Sequence, residues 1–262
     1  MTHRSKFTPP GSYVTPLTTE QILQRLDVAI RARSSGQYAI FFEGNLLSRL
    51  PGNQSLRQAL EGATFVLPDG IAPAILCSWL TRRPVQRIPG PNFMPIACSY
   101  GVPRGWRHYF YGGQPGVAAR VAANLSARFP GMVVAGCDAP PFRPLTEAED
   151  EAVCRAIESS EADVVWVALG GPKQEIWMHE HAGRLRVPMM LGVGAAFDFI
   201  VDTQPRAPQF VQRLGCEWLY RMCTGGPRLF RRNLKAAVGT LMILARERIR
   251  LALTRPIGPR GG

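Results

Sequence analysis

The sequence contains no pair of cysteines at the short spacing of a zinc site or a redox motif. Its six cysteines stand singly and mostly within apolar segments. We therefore expect reduced core thiols and neither a disulfide framework nor a cysteine-based metal centre. They are Cys77, Cys98, Cys137, Cys154, Cys216 and Cys223.

Long hydrophobic runs are also missing. The first residues, MTHRSKFTPPGSY, contain no apolar signal segment, and the longest apolar run of the tail, residues 236–245, is shorter than the roughly 20 residues that span a bilayer. We therefore expect a cytoplasmic protein that is soluble or peripheral to a membrane. The hydrophobic content of 46% excludes disorder for most of the chain.

Acidic residues are scarce near the C-terminus. Residues 203–262 contain twelve Lys or Arg against only Glu217 and Glu247, a balance of +10 within the net charge of +12 of the whole chain. Apolar residues alternate with these arginines, which predicts two or three basic amphipathic helices that face an anionic membrane surface. Helices that pack on the core with solvated arginine faces are the alternative.

Strand-like and helix-like segments alternate along the rest of the chain. Short apolar runs occur around residues 38–42, 64–68, 108–111, 132–137, 164–169 and 188–192, and helical patterns separate them. This rhythm predicts an α/β fold, with a Rossmann-like, mostly parallel sheet flanked by helices and a basic helical C-terminal appendage. The predicted parts are a flexible arm at 1–16, the core at 17–203, the appendage at 204–255 and a flexible tail at 256–262.

Glycine turns follow two of these predicted strands, YGGQPG at residues 111–116 and GVG at 192–194. Glycines at the carboxyl ends of parallel strands allow close backbone approach and offer N–H groups to a nucleotide diphosphate. Tight turns of any doubly wound sheet are the alternative, and Asp198 could instead cap a helix. The residues predicted to bind a nucleotide are Tyr111, Gly112, Gly113, Gly192, Gly194 and Asp198.

Asp69 follows another predicted strand in the element LPDGI. A carboxylate at the carboxyl end of a strand lies where α/β proteins bind ligands, and it could act as a general base. Asp-Gly is also a common turn, and Asp is a common helix cap, so a structural role for Asp69 stays open on these residues alone.

Three longer stretches resemble the signature of the WecG/TagA/CpsF glycosyltransferase family. They are GGPKQEIWMHEH, GVGAAFDF and QPRAPQFVQRLGCEWLYR, and the similarity runs from about Thr64 to Arg232. The resemblance implies a bacterial enzyme of cell-surface polysaccharide synthesis. Such enzymes transfer a sugar from a UDP-sugar, with inversion, to a polyprenyl-diphosphate-linked sugar at the inner face of the cytoplasmic membrane.

The resemblance also implies roles for individual residues. Asp69 is expected to be the catalytic base, and the nucleotide-binding residues are expected to hold the donor. Neither a cofactor nor nucleic acid is expected as a partner, and the oligomeric state is left open, with a homo-oligomer as one alternative. The residues expected to bind the acceptor and its diphosphate are Arg87, Gln174, Arg221, Arg228 and Arg231.

No Asp-x-Asp pair follows a strand, although many metal-dependent sugar transferases use such a pair to hold a divalent ion. His179 and His181 stand two residues apart on a predicted helix, so they face different sides and form a poor metal pair. We therefore expect a metal-independent reaction in which guanidinium groups neutralise the leaving diphosphate.

The chain departs from the family at one element. Where the family has Thr-x-Asn, the segment AIFFEGN has Phe41 and Glu43, with Asn45 two residues later. We expect that the sugar or the acceptor recognised here differs from the family's best-known donor, a UDP-linked N-acetylmannosamine.

Two other functions remain alternatives at this point. FYGGQPG with the later Asp138 imitates the glycine turn and ribose-binding acid of an S-adenosylmethionine-dependent methyltransferase. A non-enzymatic module that binds lipid or nucleic acid would explain the basic tail. It would leave Asp69 and the glycine turns without a role.

Overall fold

A computed structural model describes residues 9–201, 207, 208, 211, 220 and 226–253. Its centre is a sheet of six parallel strands in the order β2-β1-β6-β5-β3-β4. This confirms the predicted α/β class. The strands are β1 Tyr38–Phe42, β2 Phe65–Pro68, β3 Arg107–Gly112, β4 Val133–Asp138, β5 Val164–Ala168 and β6 Met189–Gly192.

Helices follow the strands as the sequence pattern predicts. Thr18 with Gln21, and Thr146 with Glu149, form capping boxes that start two of them, and the Asn53 side chain caps a third. The helices are α1 Thr19–Arg31, α2 Gly44–Arg49, α3 Gln54–Gly62, α4 Ile71–Thr81, α5 Gly90–Gly101, α6 Val117–Arg128, α7 Glu147–Ser159, α8 Lys173–His181, α9 Ala196–Ile200 and α10 Gly226–Leu253.

The sheet separates two hydrophobic clusters, because successive strand residues point to opposite faces. In β1, Ala39 and Phe41 enter one cluster, while Tyr38, Ile40 and Phe42 enter the other. The first cluster is covered by α1, α5, α6 and α9, and the second by α2, α3, α4 and α8. Both faces of the sheet are therefore buried, as expected of an all-parallel sheet, except at the edge strand β4, where Val133 and Val134 are exposed.

After the neighbouring strands β3 and β5, the chain continues into helices that pack on opposite faces of the sheet. Helix α6, which follows β3, buries Val121 in the first cluster, whereas α8, which follows β5, buries Trp177 and Met178 in the second. The strand order reverses at this point, which opens a crevice at the carboxyl ends of β3 and β5. Open α/β sheets bind ligands in such crevices.

Part of the predicted flexible arm is packed. Pro10–Ser12 forms a 3-10 turn against α4, and Val14 is buried. The backbone N–H of Thr15 donates to the Val66 carbonyl at 2.8 Å, and its hydroxyl accepts from the Val66 N–H at 3.0 Å. Residues 9–16 thus add backbone pairing to β2, a long-range contact that their proline-rich composition does not reveal.

The basic tail contributes one long helix within the described residues. Helix α10 packs on α2, where the Thr240 hydroxyl donates to the Gly44 carbonyl at 2.9 Å. The two helices approach closely at Gly239, since a Cβ there would lie 3.0 Å from the Ser48 Cβ. The Arg248 guanidinium lies 5.3 Å from the centre of the Trp79 ring on α4, a cation–π contact.

Replacing Gly239 with leucine should separate α10 from α2. A leucine side chain cannot fit between the two backbones, and overpacking of this kind typically destabilises by about 1–3 kcal/mol. We expect faster amide hydrogen exchange in α2 and α10, with little change in β5 and β6. Ala245→Leu on the exposed side of α10 is the matched control. Equal exchange in the two variants would contradict this contact.

Candidate active site

The carboxyl ends of the strands meet at one edge of the sheet, and several of the predicted site residues lie along it. Asp69 follows β2, Glu43 follows β1, and Gly194 lies just beyond β6. Gly170 lies two residues beyond β5, and Gly113 follows β3. Because all six strands are parallel, these loops are neighbours on the same side of the molecule.

Asp69 lies between β2 and α4, and its backbone ties it to β1. Its N–H donates to the Phe42 carbonyl at 3.1 Å, and that of Gly70 donates to the same oxygen at 3.3 Å. Gly70, not Asp69, is the N-cap residue of α4. A Cβ on Gly70 would lie 3.4 Å from the Glu43 Cα, so the loops that carry Asp69 and Glu43 are in contact.

Arg87 belongs to the loop that returns to the same region. The N–H of the next residue, Ile88, donates to the Pro68 carbonyl at 2.8 Å, which fixes Arg87 beside the end of β2. The Arg87 side chain is half-buried. The structure therefore brings Arg87 and Asp69 to the same end of the sheet edge.

The glycine turn after β3 is tightly packed. Gly112 has a φ of +121°, and a Cβ there would collide with the Ala168 backbone of β5. The Gly113 N–H donates to the Ala168 carbonyl at 2.9 Å. This amide therefore joins two strands, so Gly112 and Gly113 allow close strand packing at the crevice and the Gly113 N–H is not offered outward.

Beside this turn lies a cavity of about 400 Å³. Tyr111 contributes its ring to one wall, where it packs on Trp177 with ring centroids 4.9 Å apart. Burial, reinforced by the charges of Asp150 and Asp138, raises the pKa of Tyr111, so the phenol stays neutral. Further walls come from Asp150, Lys173, His181 and Arg184.

The turn after β6 carries the other predicted donor-binding glycines. The N–H of Gly194 donates to the Val167 carbonyl at 3.3 Å, so this amide too is used within the sheet. Asp198 is half-buried in the first turn of α9, whose N-cap residue is Ala195. Gly192 adjoins α8, because a Cβ there would lie 2.5 Å from the Met178 methyl carbon and 3.3 Å from the Gln174 amide nitrogen.

Gln174 and Glu175 form a buried polar pair in the first turn of α8. The Gln174 Nε2 donates to Glu175 Oε1 at 2.6 Å and to the Gly192 carbonyl at 3.0 Å. Burial raises the pKa of Glu175 to about 7, the hydrogen bond from Gln174 opposes the rise, and the charge of Glu43 adds to it. Glu175 was not among the predicted site residues. Its spacing from Met178 on a helical face was the signal that it is buried.

The predicted residues do not form one compact cluster. Strands β2 and β3 are four positions apart in the sheet, which separates Asp69 from Gly113 by about 19 Å at the usual strand spacing. Gly192, Gly194 and Gln174 lie between them. Arg221 lies outside the described residues, and Arg228 and Arg231 are placed only by their backbone in the first turns of α10.

Comparison with known proteins identifies a family that covers most of the chain. A family profile described as the glycosyl transferase WecG/TagA/CpsF family matches residues 8–253. The chain belongs to this family. It is thus a glycosyltransferase, as the sequence resemblance predicted.

Two curated relatives of the glycosyltransferase come from Bacillus. Each is named an N-acetylglucosaminyldiphosphoundecaprenol N-acetyl-beta-D-mannosaminyltransferase. The Bacillus spizizenii protein is 32% identical over 197 residues, which cover 75% of this chain and 74% of the relative. The Bacillus subtilis protein is 28% identical over 189 residues, which cover 72% of each.

The family decides between the alternatives that the sequence left open. The methyltransferase interpretation gave Asp138 the role of a ribose-binding acid. In the glycosyltransferase, this carboxylate accepts a hydrogen bond of 2.6 Å from the Tyr109 hydroxyl at the outer edge of the sheet. The alternative of a non-enzymatic binding module is also wrong, because the family is one of enzymes.

The two histidines on α8 face different sides, as predicted. His179 contacts the Tyr38 hydroxyl at 3.0 Å, whereas His181 contacts Asp150 at 3.0 Å. Among the described residues, Asp150, Cys154 and His181 are the group whose spacing could hold a metal ion. The Arg184 guanidinium donates to Asp150 at 2.7 Å, so this glycosyltransferase has an ion-pair network there.

Among the helices that the structure describes, none is both long enough and apolar enough to cross a bilayer.

Replacing Glu175 with glutamine should stabilise the glycosyltransferase above neutral pH. An unfolded glutamate titrates near pH 4.3, so between roughly pH 4.5 and 7 the folded chain holds a proton that the unfolded chain has released. The free energy of unfolding therefore falls as pH rises through this window. Glutamine removes the buried charge, and we expect a small effect at pH 5 and a gain of roughly 1–3 kcal/mol at pH 8.

Urea unfolding at the two pH values would measure this difference. Glu180→Gln, on the exposed side of the same helix, is the control and should show no such pH dependence. An identical gain for Glu175→Gln at both pH values would show that Glu175 does not carry the proton.

Proposed function

We propose that the chain is an inverting glycosyltransferase that moves a sugar from a UDP-sugar to a polyprenyl-diphosphate-linked sugar. One observation carries the proposal: Asp69 lies on the same sheet edge as the crevice and the glycine turns that could hold a nucleotide sugar. The names of the two relatives, which describe transfer to an undecaprenyl-diphosphate-linked sugar, support this class of acceptor.

The donor would lie along the sheet edge in an extended conformation. The nucleoside fits the crevice at β3 and β5, where the cavity beside Tyr111 and Trp177 offers aromatic surfaces. The diphosphate then passes the β6 turn at Gly194, and the sugar reaches β1 and β2 beside Asp69. In this layout, the extended donor spans the distance of about 19 Å between Gly113 and Asp69.

The reaction in this proposal is a single displacement. The Asp69 carboxylate takes the proton from an acceptor hydroxyl as that oxygen attacks the anomeric carbon. The new carbon–oxygen bond forms while the bond to the diphosphate breaks, and UDP leaves with the bonding electrons. Attack from the face opposite the leaving group gives a β-linked product from an α-linked donor.

Cationic side chains would neutralise the phosphates without a metal ion. Arg87 stands beside Asp69 at the end of β2, and guanidinium groups bind phosphate oxygens in pairs. The proposal gives the same role to Arg221, Arg228 and Arg231, because the basic segment 204–255 would close over the diphosphate of the acceptor. The packing of α10 on α2 and α4, which flank Asp69, supports this position of the segment.

Helix α10 supports binding to a membrane surface, which the proposal places at the inner face of the cytoplasmic membrane. Its outer face carries an apolar stripe, accompanied by the exposed cations Lys235 and Arg246. An apolar face with basic neighbours binds anionic lipid surfaces. The exposed residues of this stripe are Phe230, Leu234, Val238, Leu241, Met242, Ile249 and Leu253.

Changing Asp69 to asparagine should remove most of the transfer activity. An amide cannot accept the acceptor proton, and a general base typically contributes roughly 10²–10⁴-fold to the rate. UDP release with a panel of UDP-sugars and a synthetic polyprenyl-diphosphate sugar would measure it, with product mass as the second readout. UDP affinity should stay unchanged.

The matched control for this experiment is Asp138→Asn, at the outer edge of the sheet. It should keep the activity. Near wild-type turnover of Asp69→Asn would exclude Asp69 as the base, and wild-type protein that binds no UDP-sugar would defeat the proposed function.

The double change Leu241→Glu with Met242→Glu should weaken membrane binding. These side chains are each 63% exposed on the apolar stripe, and two buried charges would offset the apolar contribution, so we expect at least roughly a tenfold loss. Flotation with phosphatidylglycerol vesicles at low and high salt would measure it. Val28→Glu, an exposed apolar position on α1, is the control. Equal flotation of all three proteins would contradict the role of α10.

A further inference from the structure

Helices α7 and α8 meet beside the cavity at Tyr111 and bring three potential metal ligands together. Asp150 and Cys154 stand four residues apart on α7, so their side chains lie on the same face of that helix. His181 is the last residue of α8. A carboxylate oxygen, the thiol sulfur and a ring nitrogen of these residues all lie within 4.8 Å of one another. Because the group combines two helices, no short sequence motif reveals it.

The orientation of the His181 ring is fixed by two contacts with Trp177. The ring stacks on the indole with centroids 4.1 Å apart, and its Nδ1 lies 2.8 Å from the Trp177 carbonyl oxygen. A carbonyl can only accept, so Nδ1 must carry a hydrogen. Histidines that bind metals usually hold their second ring nitrogen in this way, which leaves Nε2 for the ion.

The other ring nitrogen faces a carboxylate. His181 Nε2 lies 3.0 Å and 3.1 Å from the two Asp150 oxygens. In the neutral ring with a hydrogen on Nδ1, Nε2 carries a lone pair, and a carboxylate only accepts as well. Two acceptors at this distance repel each other unless a positive charge lies between them. That charge is either a proton on Nε2 or a metal ion.

Arg184 does not take this place. Its guanidinium nitrogen lies 2.7 Å from Asp150 Oδ2 but 3.4 Å from His181 Nε2, which is longer than a usual hydrogen bond. Arg184 therefore holds the carboxylate from the outside, as the outer partners of metal ligands do. Asp150 Oδ1, at 3.0 Å from Nε2, remains for another cation.

We propose that Asp150, Cys154 and His181 bind a zinc ion that joins α7 to α8. Zinc accepts nitrogen, sulfur and oxygen ligands together, whereas magnesium and calcium prefer oxygen ligands. Bonds of about 2.0–2.2 Å to nitrogen and oxygen allow one ion to contact both Nε2 and the carboxylate. Cys154 turns about a single side-chain bond, so its sulfur can approach that ion. It binds as the thiolate, and its proton passes to the buffer.

The ion would lie on the wall of the cavity, since Asp150 and His181 both line that cavity. Three protein ligands leave a fourth coordination position, which water from the cavity can occupy. Helix α7 follows β4 and α8 follows β5, whereas Asp69 follows β2 at the other end of the sheet. The inference therefore gives zinc a structural role, and it goes beyond the proposed sugar transfer without depending on it.

Zinc titration of the chelator-treated full chain tests this site, with calorimetry as the measure of affinity and stoichiometry. We expect one tightly bound zinc ion per chain. Cys154→Ser and His181→Gln should each weaken binding at least roughly a hundredfold, because loss of a ligand costs more than the roughly ten- to hundredfold loss typical of an outer partner. The matched controls, Cys137→Ser at another half-buried thiol and His179→Gln on the same helix, should bind zinc like the wild type.

A second measurement needs no variant and so does not depend on the folding of one. Zinc bound to the Cys154 thiolate should slow the alkylation of this sulfur by at least roughly tenfold, because a coordinated thiolate is a poorer nucleophile than a free one. Mass spectrometry would locate the modified cysteines. Alkylation of Cys137 in the same sample is the internal control and should proceed at the same rate with and without zinc.

Three results would overturn the inference. Zinc binding of wild-type strength by folded Cys154→Ser or His181→Gln would place the ion elsewhere on the chain. Equal alkylation of Cys154 with and without zinc would exclude the sulfur as a ligand. Wild-type protein that binds no zinc would show that a proton on His181 takes the place between the two acceptors. All three results leave the proposed function intact, since the proposed transfer does not use this ion.

Discussion

The all-parallel sheet is the constraint on which the rest of the molecule depends. Apart from the partly exposed edge strand β4, its strands are buried on both faces, so their apolar residues require helices on each side of the sheet. Parallel pairing also sends every carboxyl end to the same edge. The polar residues that follow the strands therefore lie along this edge even though they are far apart in sequence. The position of the candidate site thus follows from the parallel pairing of the strands.

The glycines illustrate how packing and function share this edge. Sequence patterns attributed Gly113 and Gly194 to ligand contacts through their N–H groups. In the structure both amides donate to carbonyls of β5, that of Gly113 to Ala168 and that of Gly194 to Val167. The glycines permit close contact between strands and turns, and any benefit to a ligand comes from the space that their missing side chains leave.

Local signals predicted the helices and strands well, because capping boxes, apolar periodicity and glycine turns act over a few residues. The Thr18 and Thr146 capping boxes, for example, each start a helix. Strand order, in contrast, is set by long-range packing, and no local pattern revealed that Asp69 and Gly113 lie four strands apart. The burial of Glu175 was missed because the helical spacing that indicates it competes with a second signal: an acid in a first helical turn is also typical of an exposed helix start.

The distribution of charge along the edge supports the proposed division of labour. Three acids, Glu43, Asp69 and Glu175, gather near β1 and β2, where the sugar and the proton would be handled. If all were ionised, they would repel a diphosphate arriving at the neighbouring β6 turn. Burial and the charge of Glu43 raise the pKa of Glu175, which reduces the negative charge at this end near neutral pH. An incoming diphosphate adds further negative charge and would hold that proton more firmly, so the buried acid and the anionic substrate can occupy the same edge.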